Sequence, residues 1–140
     1  MNHISVFAEE VPLPSWSGRA QKFIDKALRA LGHKNWNVSL LVCDDNFIRR
    51  LNLRYRQKDE ATDVLSFGFD ERTGDIALSL DSLKSNAAYF CVAEDDELKR
   101  LLIHALLHLE GKDHSTNNLE EPMLVFQEEL LLKLKKESIL

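Results

Sequence analysis

The sequence predicts a single layered α+β domain over residues 1–140, a mixed four-stranded sheet packed with about five helices, with a metal site at the end of a central helix. Three observations carry this expectation. Segments with strand-like alternation are interspersed with segments of helical periodicity. Two strand-like segments, TDVLSFGF and DIALSL, flank the turn ERTG, so an antiparallel hairpin makes the sheet mixed. Finally, nothing divides the chain: there is no repeat, no low-complexity tract and no Pro/Gly/Ser-rich linker.

Taken in order, HISVFAEE alternates Ile4 and Val6 with polar neighbours, as a strand does, and PLPSW breaks it. Ser15 or Ser17 is expected to cap the helix that follows. Its apolar residues Phe23, Ile24, Ala27, Leu28 and Leu31 recur at helical spacing, and Gly32 is placed to end it. NWNVSLLVCD reads as the second strand. Asp44 or Asp45 then caps a helix through IRRLNLRY, with Phe47, Ile48, Leu51 and Tyr55 on the apolar side and the basic residues opposite. After the hairpin, DSLKSNAAYF fits either a short helix or a loop. DDELKRLLIHALLHLE is a strong helix whose first-turn acids match the helix dipole, and Gly111 follows it. A last helix covers roughly 119–136.

Composition narrows the function classes. An apolar fraction of 44% and a charged fraction of 29% are those of an ordinary globular domain. No apolar run is long enough to cross a bilayer and no secretory leader is evident, so the default expectation is a cytoplasmic protein with no membrane partner. Cys43 and Cys91 are far apart with no CxxC, so both are expected to be buried free thiols. The net charge of −5 argues against nucleic acid, but its distribution does not. Residues 49–58, RRLNLRYRQK, hold five basic residues and no acid, so removing their +5 leaves −10 on the rest of the chain. This segment is a candidate anion-binding surface.

The strongest chemical signal is HALLHLEGKDH, residues 104–114. His104 and His108 are four apart and share one helical face. Gly111 allows the chain to turn back, because glycine accepts the left-handed conformation that ends helices. His114 then joins the pair, giving three nitrogen donors and an open fourth position, the plan of a catalytic zinc site. The alternative is an unliganded, pH-sensitive cluster. His3 and His33 have no ligand-type partner at useful spacing and are expected to be ordinary residues.

The spacing also resembles the zinc-peptidase motif H-E-x-x-H-x-x-G-x-x-H, but the residue that must be the general-base glutamate is Ala105. Glu110 lies about 200° around the helix from His108 and should point away. Asp113 either orients a ligating imidazole or simply forms the turn.

These residues resemble the YbeY family, bacterial single-strand-specific metallo-endoribonucleases involved in rRNA maturation. HALLHLEGKDH is similar to the family's H-G-x-L-H-L-x-G-Y-D-H, departing at Ala105 and Lys112. LNLRYRQKDEATDVLSF, residues 51–67, resembles LN-x-x-Y-R-x-K-D-x-x-T-D-V-L-SF, and GDIALS at 74–79 resembles its G-D-I segment. The resemblance implies one zinc ion per chain on His104, His108 and His114, with Arg56 as the functionally important arginine. It also implies a single-stranded RNA substrate, a role in trimming the small-subunit rRNA end and in ribosome quality control, and contacts with ribosomal small-subunit components rather than DNA.

The chemistry expected is metal-assisted phosphodiester hydrolysis, with the metal or Arg56 stabilising transition-state charge. Attack by the RNA 2′-hydroxyl is the other route. Two rival classes are a noncatalytic zinc-containing ribosome-assembly factor that binds RNA, and a divergent metallopeptidase, disfavoured by Ala105.

Overall fold

The computed structural model describes residues 1–140. Four strands, β1 (His3–Ala8), β2 (Asn37–Cys43), β3 (Val64–Asp70) and β4 (Thr73–Ser79), form one sheet in the order β1-β2-β4-β3. β1, β2 and β4 run parallel, and β3 pairs antiparallel with β4, so the sheet is mixed as the hairpin requires. The turn itself is shorter than ERTG. Only Glu71 and Arg72 lie between the strands, because Thr73 pairs with Asp70 across a bulge at Gly68–Asp70 and brings Gly74 into β4.

Five helices complete the domain: α1 (Ser17–Ala30), α2 (Asp45–Arg56), α3 (Leu80–Phe90), α4 (Glu94–Leu109) and α5 (Pro122–Lys133). The main core lies where α1 and α4 cover one face of the sheet, joining Phe23, Ile24 and Leu28 to Leu40, Ile76 and Leu78 and to Leu98, Leu102 and Leu106. α2 covers part of the other face through Ile48, packed with Cys43, Leu65 and Ala77. β1 and β3 are the two edge strands of the sheet.

Several local expectations change. Neither Ser15 nor Ser17 caps α1; its N-cap is Trp16, with no side-chain bond, and the turn closes through the backbone of Ser17 and Pro14 instead. Asp44 does cap α2, its carboxylate accepting from the Phe47 N–H at 2.8 Å. On α2 the buried residues are Ile48 and Asn52, while Tyr55 is exposed. Asn52 tolerates burial because its amide donates to the Glu60 carbonyl at 3.0 Å.

DSLKSNAAYF resolves as helix, capped by the Ser79 hydroxyl and ended by Cys91 in a left-handed conformation. That turn leaves Cys91 exposed, against the expectation of burial, whereas Cys43 is buried. α5 starts at Pro122 rather than near 119, since proline suits the first helical position and residues 115–118 are held in a loop by Glu121 and by their own side chains. No helix is long and apolar enough to cross a membrane.

Candidate metal centre

α4 brings His104 and His108 to one face near its C-terminal end. The helix then closes in a Schellman motif. The Gly111 N–H donates to the His108 carbonyl and the Lys112 N–H to the Leu107 carbonyl, each at 3.0 Å, with Gly111 at φ +97°. This reversal carries residues 112–114 back along the helix, and His114 arrives beside the other two. Ring centroids are 4.7 Å apart for His104 and His108, 5.1 Å for His104 and His114, and 5.5 Å for His108 and His114. One ring nitrogen from each lies within 4.8 Å of the others.

The surrounding acceptors decide which nitrogens face inward. Nδ1 of His114 lies 2.7 Å from the Thr116 carbonyl, which can only accept, so Nδ1 carries a proton and, in the neutral ring, Nε2 the lone pair. Nδ1 of His104 lies 2.6 Å from Oε1 of Gln127. The amide orientation follows from its other end, where Nε2 donates to Glu128 at 3.1 Å. Glu128 is itself gripped by Arg100 at 3.1 Å. Burial would raise the Glu128 carboxyl, but hydrogen bonds from Arg100 and Gln127 outweigh it and hold the group below its usual range. In the neutral ring Nε2 of His104 is then the acceptor nitrogen, 3.1 Å from Nε2 of His108. Burial first, then the two neighbouring imidazoles, push His108 below the ordinary histidine range, against Asp113 and the Lys112 backbone. Three imidazoles whose ring nitrogens converge in this way are, once deprotonated toward the centre, the donor set a metal ion takes.

Arg56, at the end of α2, lies in the same cavity as His104 and His108, a space of about 220 Å³ between α4 and the edge of β3. Its Nη2 donates to the Ser66 carbonyl at 2.9 Å, and the guanidinium lies 5.6 Å from the centre of the Phe67 ring. The structure therefore supplies the proximity that sequence could not show. The rest of the basic segment is divided. Arg49 is held by Asp59 at 2.7 Å and Arg50 lies 3.9 Å from Glu10, both on a different part of the surface.

Asp113 accepts from the His114 N–H at 2.8 Å and stands 4.0 Å from Nδ1 of His108, so the turn-forming role is the bonded one. Glu110 points away from the histidines, its carboxylate on His33 at 2.5 Å and on Lys112. Ala105 is buried in the wall of the cavity and brings no carboxylate there. Sequence reading missed Gln127. Its signal was a polar residue in register with the buried Met123, Leu124 and Leu130 of α5.

Fold and site together define a small layered α+β protein with three clustered histidines that could hold a metal ion. The family model described as Endoribonuclease YbeY matches residues 4–135, and the chain belongs to that family. A Treponema denticola protein named Endoribonuclease YbeY is 49% identical, the match covering 99% of this chain and 97% of the relative. Relatives of the same name from Treponema pallidum and Borrelia turicatae are 40% and 36% identical over 94% and 95% of this chain. A Thermotoga maritima protein solved in solution superposes with a TM-score of 0.64 at 24% identity, over 96% of this chain and 90% of its own, and supports the fold.

Proposed function

We propose that this protein is a zinc-dependent endoribonuclease that hydrolyses phosphodiester bonds in single-stranded RNA, acting in small-subunit rRNA maturation and ribosome quality control. The observation that carries the reading is the convergence of three imidazoles, with Gln127 and the Thr116 carbonyl bonded to the outer nitrogens of His104 and His114, and with Arg56 lining one cavity with His104 and His108. The family's named activity supplies the substrate class.

His104, His108 and His114 would hold one zinc ion per chain. Bound there, zinc supplies a Lewis acid for the phosphoryl oxygens and lowers the pKa of water to about 7. The chain's own part is positional and electrostatic. Gln127 and the Thr116 carbonyl keep the ligand lone pairs directed inward. Arg56 uses one N–H on the Ser66 carbonyl, leaving other donors of its fork for the oxygens of a phosphate as charge develops in the transition state. Position 105 is alanine and Glu110 is turned toward His33 and Lys112, while Asp63, which does line the cavity, has its two carboxylate oxygens accepting from the Val64 N–H at 2.7 Å and the Asn86 amide at 3.0 Å.

The test is incubation of one zinc-loaded preparation with single-stranded RNA, duplex RNA and casein. Cleavage of the single strand alone, leaving linear phosphate ends, is expected. RNA bound but uncut would establish the assembly-factor reading instead, and cyclic phosphate ends would replace hydrolysis by 2′-hydroxyl attack.

A further inference from the structure

On the opposite face of the sheet from the main core, a groove of about 540 Å³ runs between α2 and the strands β3 and β4. Its walls include Tyr55, Phe67 and Phe69. Tyr55 and Phe69 are 54% and 67% exposed, a large aromatic surface left in water. The Tyr55 and Phe67 rings meet edge to face at 5.4 Å, and the Arg54 and Arg56 guanidinium groups lie 5.4 and 5.6 Å from the Tyr55 and Phe67 ring centres.

Two features distinguish this groove from an ordinary apolar patch. It adjoins the histidine cavity, since Arg56 and Ser66 line both spaces. It also contains an acid. Asp75, paired across the sheet with Phe67, lines the groove, and its carboxyl is pushed up by burial against a hydrogen bond with Ser39. Aromatic faces beside cations suit the flat π-surface of a base, whereas a carboxylate suits an edge that presents donors.

We infer that this groove receives one unstacked nucleobase of the RNA strand whose phosphate lies at the three-histidine cavity, with Tyr55 and Phe69 as the stacking surfaces and Asp75 reading a donor edge. The inference rests on the RNA reading of the histidine site. Arg56 stands at the junction, so the base in the groove belongs to a nucleotide adjoining the cleaved bond. Guanine is the base that fits best. Its N1–H and N2–H donors lie side by side and match the two oxygens of a carboxylate, whereas uracil presents one donor between two acceptors.

The experiment uses the full-length zinc-loaded protein and a single-stranded RNA oligonucleotide with one cleavage position, in which successive nucleotides are replaced one at a time by abasic residues. One position next to the cut is expected to raise KM about tenfold when its base is removed, the scale of a lost base–aromatic stack. The doubly substituted Tyr55→Leu, Phe69→Leu protein keeps apolar bulk at two exposed sites. It should show that raised KM on intact RNA and no further loss on the abasic strand, with zinc content unchanged. Guanosine at this position should give a lower KM than uridine, and Asp75→Asn should erase the difference. A flat abasic scan on RNA that the wild type cuts would overturn the groove assignment alone. Wild-type KM in the double variant would do the same, and equal KM for the two bases would remove Asp75 from it. Failure of the wild type to bind or cut any RNA would overturn the histidine-site reading, and the groove assignment with it.

Discussion

Gln127 touches no expected ligand atom, yet it determines what His104 can do. Its carbonyl oxygen accepts a hydrogen bond from Nδ1–H of His104, and Glu128, accepting from the other end, prevents the amide from reversing. Replacing it with leucine keeps the bulk and loses the acceptor, so zinc affinity should fall about 10- to 100-fold in competition with a chromophoric chelator. An unchanged affinity would make Gln127 a packing residue only. Arg56 acts at the other side of the cavity. Arg56→Lys retains the charge but loses the planar fork, and should lower kcat about 10²-fold with KM and zinc content little changed. A raised KM with kcat intact would reduce Arg56 to docking. The histidines were legible because three ligand-type residues sit in one short segment around a glycine. Gln127 was not, since its role depends on α5 folding back against α4, a contact between residues 23 apart.

At the scale of elements, local chemistry predicted well wherever the structure satisfies it locally. Gly111 ends α4 through its positive φ, and Asp44 caps α2. Removing that cap with Asp44→Ala should cost about 1 kcal/mol of stability, lowering Tm by roughly 2–4 °C on thermal melting while zinc content stays the same. A Tm equal to wild type would show that the bond contributes nothing. Where tertiary packing intervenes, the expectations moved. Tyr55 falls at an apolar helical position and meets Phe67 of β3 edge to face, yet stays exposed beside the open groove, and Asn52 takes the buried place because Glu60 offers it a carbonyl. The basic run 49–58 looked like one anion-binding surface, yet Asp59 lies close enough in the fold to hold Arg49, and Arg50 turns toward Glu10. Only the end of α2, with Arg56, reaches the histidines.

For the whole molecule, the fold accounts for the site by placing its residues on packed elements. α4 runs through the main core, with Leu98, Leu102 and Leu106 inaccessible to solvent, so the positions of His104 and His108 are fixed by packing. β3, an edge strand of the sheet, leaves room beside them that a central strand would not. The mixed sheet was legible because a hairpin next to parallel crossovers permits little else. The order β1-β2-β4-β3 was not, since it depends on which strand edge each crossover finds.

The central claim is that RNA cleavage belongs to a metal held by His104, His108 and His114. It is tested most directly by measuring the rate of single-stranded RNA cleavage against zinc bound per chain, titrating zinc into metal-free protein and into His104→Ala. The wild-type rate should rise in proportion to occupancy and level off at one zinc per chain, while His104→Ala should neither hold that zinc tightly nor cut. Cleavage at full rate by metal-free protein, or by a His104→Ala variant carrying no zinc, would contradict the account.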